Sequence, residues 1–262
     1  PLKKKEPRFY PKGEGCDYMK SFWNNLKKAP AGVRRRGLAR WFQILEESFM
    51  TLFWGNLLCL LFCLPFFVCL FFFLQIGDWL SGLGLFLSLG LLGPGVTGLN
   101  FLCMQLIRDK HVSAGSDFFA SVKGDWKQSA ALAWILGILW GSLAWAVGLV
   151  GLTQGSLRIC LSAALLVSAF VMMGLTVIGF QQIAMVRLPF RGVLGNGLAL
   201  ILAGGGRAAA AIVFSLAAVA LCLDFYQYCV WYLVLGAPAL IVFTANLIFY
   251  PVFENYFPEE VS

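Results

Sequence analysis

Residues 49–74 read FMTLFWGNLLCLLFCLPFFVCLFFFL, a stretch without a single charged side chain. An α-helix needs about 20 apolar residues, at about 1.5 Å per residue, to cross the hydrocarbon core of a bilayer. This stretch exceeds that length, and the buried helices and strands of soluble proteins do not need such long apolar runs. It therefore predicts a membrane-spanning helix and decides how the rest of the chain is interpreted.

The composition of the whole chain agrees with a membrane protein. Of 262 residues, 60% are hydrophobic and only 13% are charged, whereas soluble domains carry about 25% charged residues. A soluble enzyme, a coiled coil and a disordered chain are excluded. We predict an all-α, polytopic transmembrane helix bundle with six spans, at about 49–74, 79–106, 129–152, 159–182, 207–223 and 230–250.

The positive charges alternate between the predicted loops. Nineteen of the 20 Lys and Arg residues fall in alternate loops, and Arg158 alone falls in the others. Because cytoplasmic loops retain Lys and Arg, both termini are predicted to lie in the cytoplasm. We expect a basic cytoplasmic segment over 1–47, a transmembrane bundle over 48–252 and a short acidic cytoplasmic tail over 253–262. No cleavable signal peptide is expected, since the basic start is too long and no small-residue cleavage site follows the first span.

Two shorter apolar segments are predicted to lie along the membrane surface. Residues 37–50 form an amphipathic pattern that is typical of an interfacial anchor helix, next to membrane lipids rather than nucleic acid. Its apolar face is predicted to hold Leu38, Trp41, Phe42, Leu45 and Phe49, with Arg40, Gln43, Glu46 and Glu47 pointing away. Residues 192–203 are also apolar, but they are too few to cross a bilayer.

The second predicted span contains a helix-breaking sequence, Gly93-Pro94-Gly95. Proline removes a backbone donor and clashes with the preceding turn, so a helix break is expected here. Thr97, Asn100 and Gln105 follow it, and many transporters build a substrate site from a broken helix beside polar side chains. The alternative is a hinge or a short re-entrant piece that serves packing only.

The loop over 107–128 is predicted to hold a short amphipathic helix, with Ser116 as the N-cap residue and Asp117 in the first turn. Its apolar face has to cover the inner mouth of the bundle, the lipid headgroups or a partner protein. The candidate partner-contact residues on this face are Phe118, Phe119, Val122 and Trp126.

The third span carries small residues along one face, among them Gly137 and Gly141, followed by Ala144 and Gly148. Small residues let helices approach closely in lipid, where close packing drives association. Gly137 and Gly141 are therefore further candidate contacts with another subunit, with packing inside the bundle as the alternative.

No pattern for catalysis or cofactor binding is present in the sequence. No stretch has the spacing of a nucleotide-binding loop, and the predicted spans contain no carboxylate pair for acid–base chemistry. The only histidine is His111, and the eight cysteines lack metal-ligand spacing. We therefore expect no catalytic residues, no cofactor and no metal site.

Several segments resemble one known family when they are taken together. They are Leu64-Pro65, Gly93-Pro94-Gly95-Val96-Thr97-Gly98-Leu99, Leu106-Ile107-Arg108, Ser116-Asp117-Phe118-Phe119, Lys123, Trp126-Lys127-Gln128, Asn196-Gly197-Leu198-Ala199-Leu200 and Arg207. Over roughly residues 48–257 the chain resembles the YesL family of bacterial integral membrane proteins. It departs from the family at Val122 and Asp125, where Phe and Asn are usual, and in a longer 66–92 stretch.

The resemblance implies a link to carbohydrate use, because members of this family are similar in context to partners of ABC-type sugar importers. It implies a multi-pass protein of the bacterial cytoplasmic membrane, and it carries no catalytic residues over to this chain. The leading hypothesis is a non-enzymatic accessory membrane subunit that associates with the permease of an ABC-type carbohydrate importer. The alternatives are a stand-alone small-solute transporter with its site at the broken second span, and a structural or regulatory membrane protein.

Overall fold

The computed structural model describes residues 38–186, 189–225, 234 and 236–257. Seven α-helices make up this part of the chain. They are α1 (Leu38–Ile76), α2 (Trp79–Ile107), α3 (Ala114–Gly151), α4 (Gly155–Met185), α5 (Phe190–Ala203), α6 (Gly205–Asp224) and α7 (Ala237–Tyr256).

Six of these helices are long and apolar enough to cross a membrane. Only α5, with 14 residues, is too short, as the 192–203 stretch predicted. The chain is therefore an all-α, multi-pass membrane protein, and the predicted number of spans is confirmed. The last span was expected at 230–250, of which residues 230–233 and 235 lie outside the described part of the chain. Helix α7 runs from Ala237 to Tyr256, past the boundary expected at residue 252.

The predicted interfacial helix and the first span form one helix, α1, with a kink. Ser48 is the residue with non-helical dihedral angles (φ −126°, ψ 17°), so the kink coincides with the expected boundary between 47 and 48. The prediction that Arg40 points away with Glu46 and Glu47 was wrong, although the two glutamates are exposed as expected. Arg40 and Ile44 are buried, whereas Phe42 and Phe49 are at least half exposed.

The reason is an ion pair that the local pattern does not reveal. The Arg40 guanidinium donates to the carboxylate of Asp109, which lies 69 residues further on. This pair fixes Arg40 against the turn that follows α2. Phe42 and Phe49 then face outward, where apolar side chains are favourable in a lipid environment.

The predicted amphipathic helix and the third span are likewise one continuous helix, α3, of 38 residues. Its N-cap residue is Ser113, not Ser116. The Asp117 carboxylate accepts a hydrogen bond from the Ser113 N–H at 2.8 Å, which satisfies a donor at the start of the helix. No breaker separates the two parts of α3, so the helix continues into the membrane.

The helix ends define two ends of the bundle. The basic end carries Arg40, Arg108, Lys123, Lys127 and Arg207, and the opposite end carries the turns at Gly77-Asp78 and at Leu152–Gln154. The hydrophobic core lies toward the basic end. Its largest cluster joins α1, α2, α3, α4 and α7 through buried side chains that include Leu102, Phe118, Ile178 and Phe249.

Helix α2 is the central element, since it packs against α1, α3, α4 and α7. Toward the opposite end the helices present large apolar side chains outward, including Trp79, Trp145 and Leu166. In a membrane-spanning bundle such side chains face the lipid.

Candidate functional site

The helix break expected at Gly93-Pro94-Gly95 does not occur. Helix α2 runs without interruption from Trp79 to Ile107, with Pro94 inside it. Membrane helices tolerate an internal proline where neighbouring elements and small local adjustments compensate for the lost donor. A transport site formed by an unwound second span therefore has no basis in this structure.

The glycines around Pro94 instead allow neighbouring helices to approach. A Cβ atom on Gly93 would lie 2.1 Å from the carbonyl oxygen of Ser129 in α3. A Cβ atom on Gly95 would lie 2.6 Å from the Cβ of Phe62 in α1. Because real Cβ atoms do not approach other atoms so closely, this segment is the point where α2 crosses both neighbours.

Two of the predicted partner-contact residues lie inside the protein. Phe118 is fully buried and Val122 is 8% exposed. The Phe118 ring packs beside Phe62, with a centroid distance of 5.8 Å, and it faces Gly98. These two side chains fill the core between α1, α2 and α3, so they are not available to a partner.

The two glycine candidates also differ from each other. A Cβ atom on Gly137 would lie 2.5 Å from the Leu89 side chain, so Gly137 serves packing between α2 and α3 and its prediction as a partner contact was wrong. Nothing lies within 4 Å of the corresponding position on Gly141.

Phe119 and Trp126 remain accessible, with exposed fractions of 49% and 41%. They lie two turns apart on α3, because seven residues make about two helical turns. Lys123 and Lys127, both exposed, lie in the same part of the helix. We call Phe119 and Trp126 together the basic-end aromatic pair.

A second set of residues is polar, uncharged and buried, and each member either has a side-chain atom without a hydrogen-bond partner among the described residues or bonds to such a residue. We call it the buried polar set, and it comprises Thr97, Asn100, Gln105, Ser121, Gln181, Gln182 and Asn246. Three of these residues follow Pro94 and were singled out from the sequence. The other four were missed, although adjacent glutamines inside an apolar span are an unusual signal that could have identified Gln181 and Gln182.

One hydrogen bond in this set joins two helices. The Asn246 side-chain amide donates to the Asn100 side-chain oxygen at 3.1 Å, linking α7 to α2. Asn100 in turn donates to the Val96 carbonyl at 2.9 Å. The side-chain oxygen of Asn246 receives no hydrogen bond from any residue that the structure describes.

The two glutamines of α4 are entirely unsatisfied. Gln181 and Gln182 are fully buried, and none of the described residues bonds to their side-chain oxygens or nitrogens. The Gln182 nitrogen lies 3.4 Å from where a Cβ of Gly197 would be, so this side chain faces α5. A buried polar group without a partner costs about 1–3 kcal/mol, so unsatisfied buried groups in a native protein call for an explanation.

The hydroxyl oxygens of Thr97 and Ser121 and the side-chain oxygen of Gln105 also lack partners among the described residues. Amide and hydroxyl groups donate and accept hydrogen bonds without changing charge near neutral pH. Each member of the buried polar set can therefore donate or accept hydrogen bonds, but the set offers no acid, base or nucleophile of ordinary reactivity.

Within the described residues, no group of three or more His, Cys, Asp or Glu side chains is placed to hold a metal ion. Cys59 and Cys63 lie one turn apart in α1, with their sulfur atoms 3.9 Å from each other. Both are buried, as is Cys103, and buried cysteines of this kind pack as small apolar side chains.

No protein-family model, no curated protein and no solved structure matches the chain.

Proposed function

We propose that this chain is a non-enzymatic accessory membrane subunit that associates with the permease of an ABC-type carbohydrate importer. In this proposal the basic end faces the cytoplasm of a bacterium, as the distribution of Lys and Arg predicts. The observation that carries the proposal is the exposure of Phe119 and Trp126 on α3. The importer as the partner follows from the resemblance to the YesL family.

The length of α3 supports a cytoplasmic position for the aromatic pair. A helix of 38 residues is about 57 Å long, nearly twice the hydrocarbon thickness of about 30 Å. The part from Ser129 to Gly151 already spans about 33 Å. In this proposal the part before Ser129, which holds Phe119, Trp126 and two lysines, lies at the membrane surface, where the Phe119 ring packs beside Phe62 of α1 at a centroid distance of 6.3 Å.

The neighbouring charges define the kind of partner surface. Lys123 and Lys127 are exposed beside the aromatic pair, so the complementary surface on the permease has an apolar pocket flanked by carboxylates. Interfaces commonly place buried aromatic anchors at the centre and charged groups at the rim.

The small residues further along α3 do not extend this surface. Ala144 lies on the same face as Trp126, because 18 residues make five turns at 3.6 residues per turn. Helix α2 crosses that face between them, at Ser129 and Gly137. A partner helix cannot lie along the whole face, so we assign docking to the aromatic pair alone, and Gly141 makes no contact in this proposal.

The test is a pull-down of the tagged full-length chain from native membranes in a mild detergent, followed by mass spectrometry. We expect permease and ATPase subunits in stoichiometric amounts with the wild-type chain. With the double variant Phe119→Ala/Trp126→Ala, the recovery of permease and ATPase should fall at least about tenfold. A tenfold loss of affinity corresponds to about 1.4 kcal/mol of binding free energy.

Trp145→Ala is the matched control, since Trp145 is a 75% exposed aromatic residue of the same helix near the opposite end. Its recovery of partners should equal that of the wild type. Recovery of the chain alone in two different mild detergents would overturn the proposal, and so would equal losses in the double variant and in the control.

A second function is favoured by the unsatisfied glutamines of α4. A stand-alone transporter of small uncharged polar solutes would use the buried polar set, rather than the Gly93–Gly95 segment, as its binding site. Hydroxyl groups of a solute would then complete the hydrogen bonds that Gln181 and Gln182 lack.

Uptake of labelled glycerol by liposomes that contain only this chain tests the second function. Uptake that disappears in Gln181→Leu/Gln182→Leu, while persisting in the control Gln75→Leu, would support it, since Gln75 is exposed at the end of α1. Absence of uptake by the wild type would reject it without affecting the subunit proposal.

A further inference from the structure

Near the opposite end of the bundle, helices α3 and α4 are connected by the turn at Leu152–Gln154. Further from this turn, the Trp140 ring nitrogen of α3 donates to the Thr176 hydroxyl of α4 at 3.1 Å. Beyond this contact a cleft of about 490 Å³ lies between Leu143–Gly151 of α3 and Arg158–Ala169 of α4. Its volume falls in the range of about 300–1,000 Å³ that is usual for small-molecule sites.

The cleft has apolar walls and is open at the side. Among the described residues that line it, Arg158 and Ser162 have the only polar side chains. Val147 and Leu166 line it and are 56% and 73% exposed. Both helices are membrane spans, so the open side of the cleft meets lipid acyl chains rather than water.

Arg158 lies at the rim of this cleft. It is one turn from the start of α4 at Gly155, so it lies at the level where α4 emerges from the apolar region. Among the described residues it is the only Lys or Arg at this end of the bundle, and none of them forms an ion pair with it. A guanidinium group in this position is available to an external anion.

We propose that the cleft binds one glycerophospholipid from the leaflet at this end of the bundle. The phosphate group is held by Arg158, and an acyl chain lies between α3 and α4. Guanidinium groups match phosphate oxygens with two parallel hydrogen bonds. A soluble phosphate would use Arg158 but not the apolar walls, whereas a lipid complements both.

This inference is independent of the proposed subunit function, because the cleft and the basic-end aromatic pair lie at opposite ends of α3. It also differs from general solvation by lipid, since it requires a particular side chain and a particular cavity.

Native mass spectrometry of the full-length chain in mild detergent, with added phosphatidylglycerol, tests the proposal. We expect one retained lipid per wild-type chain. Arg158→Gln should reduce retention by about fivefold, the factor expected for one basic residue at an anionic surface. Ala169→Phe should reduce it as well, because the larger side chain fills the cleft while leaving Arg158 in place.

Arg191→Gln is the control, since Arg191 is exposed on α5, outside the cleft, and this variant should keep the lipid. Retention that is unchanged in both Arg158→Gln and Ala169→Phe would overturn the proposal, as would a wild-type chain that retains no lipid. Inorganic phosphate that displaces the lipid at equal concentration would also overturn it, because the site would then recognise phosphate alone.

Discussion

The backbone of Gly93 in α2 lies directly against the carbonyl oxygen of Ser129 in α3, so close that a Cβ atom on Gly93 would be 2.1 Å from that oxygen. The Ser129 hydroxyl points back along its own helix and donates to the carbonyl of Asp125 at 2.8 Å. No side chain therefore separates the two helices at this point. Backbone contact of this kind is how small residues hold membrane helices together.

The first prediction concerns this crossing. Gly93→Ala should lower the free energy of unfolding by about 1–3 kcal/mol, the usual effect of overpacking. The new methyl group would meet the Ser129 carbonyl, which belongs to the backbone and cannot rotate away. Gly141→Ala is the control, since that position is open. It should be neutral or stabilising, because alanine favours a helix by up to about 1 kcal/mol over glycine. Thermal unfolding in detergent measures both, and equal destabilisation would contradict the contact.

The second prediction concerns the ion pair between Arg40 and Asp109. Asp109→Asn should lower stability by about 1–3 kcal/mol, since it leaves a buried guanidinium without its charged partner. Asp109 has a positive φ of 57°, which asparagine also adopts readily, so the variant changes the charge rather than the backbone.

A double-mutant cycle with Arg40→Leu, measured by unfolding in detergent, checks the pair. The effects of the two substitutions should be strongly non-additive, because either one alone removes the interaction. Additive effects would show that Arg40 and Asp109 stabilise the protein separately.

The third prediction concerns Asn56, whose fully buried side chain caps a distant helix. Its oxygen accepts a hydrogen bond from the N–H of Ala239, in the first turn of α7, at 3.2 Å. The N-cap residue of α7, Gly236, has no side chain for this purpose. Asn56→Leu should cost about 1–3 kcal/mol by leaving that donor unsatisfied.

Hydrogen exchange at the start of α7, measured by mass spectrometry, should rise in Asn56→Leu. Asn255→Leu provides the comparison, because Asn255 is exposed at the other end of the same helix. Unchanged exchange near Ala239 would reject the capping role.

The fourth prediction is a pH dependence at the turn between α1 and α2. Hydrogen bonds from the Ser81 hydroxyl and backbone N–H lower the pKa of Asp78, the N-cap residue of α2. A lowered pKa in the folded state means that Asp78 stabilises the fold above its unfolded pKa of about 3.9. This contribution is lost as the pH falls from there through the folded pKa.

Asp78→Asn should therefore flatten the acid limb of the stability profile below about pH 4. Thermal unfolding of wild type and variant across this range is the measurement. Identical acid limbs would show that other carboxylates determine the loss of stability.

The number and approximate positions of the spans could be predicted, because long apolar runs have few alternatives in a folded protein. The boundaries between the interfacial or amphipathic segments and the spans were harder to predict. No glycine or proline separates Trp126 from Ser129, and an amphipathic segment that continues into a span leaves no sequence signal at the boundary. The kink at Ser48 lacks a breaker in the same way.

The faces of the helices were predicted less well, for a physical reason. In a soluble protein an apolar face is a buried face, but a membrane helix also presents apolar side chains to lipid. Phe118 and Phe119 are equally apolar, yet one is fully buried and the other is half exposed. Phe118 lies against Gly98 on the neighbouring helix, a contact that the local sequence does not reveal. The inward position of Arg40 likewise depends on Asp109, which no local pattern reveals.

The long-range cap made by Asn56 has a consequence for the order in which the protein is made. Ribosomes deliver α1 first, and the partner of Asn56 follows 183 residues later. Until α7 has been made, the Asn56 side chain lacks the Ala239 N–H as a donor, so this contact between α1 and α7 forms late in synthesis. The hydrogen bond therefore ties the position of α1 to a helix that the ribosome delivers long after it.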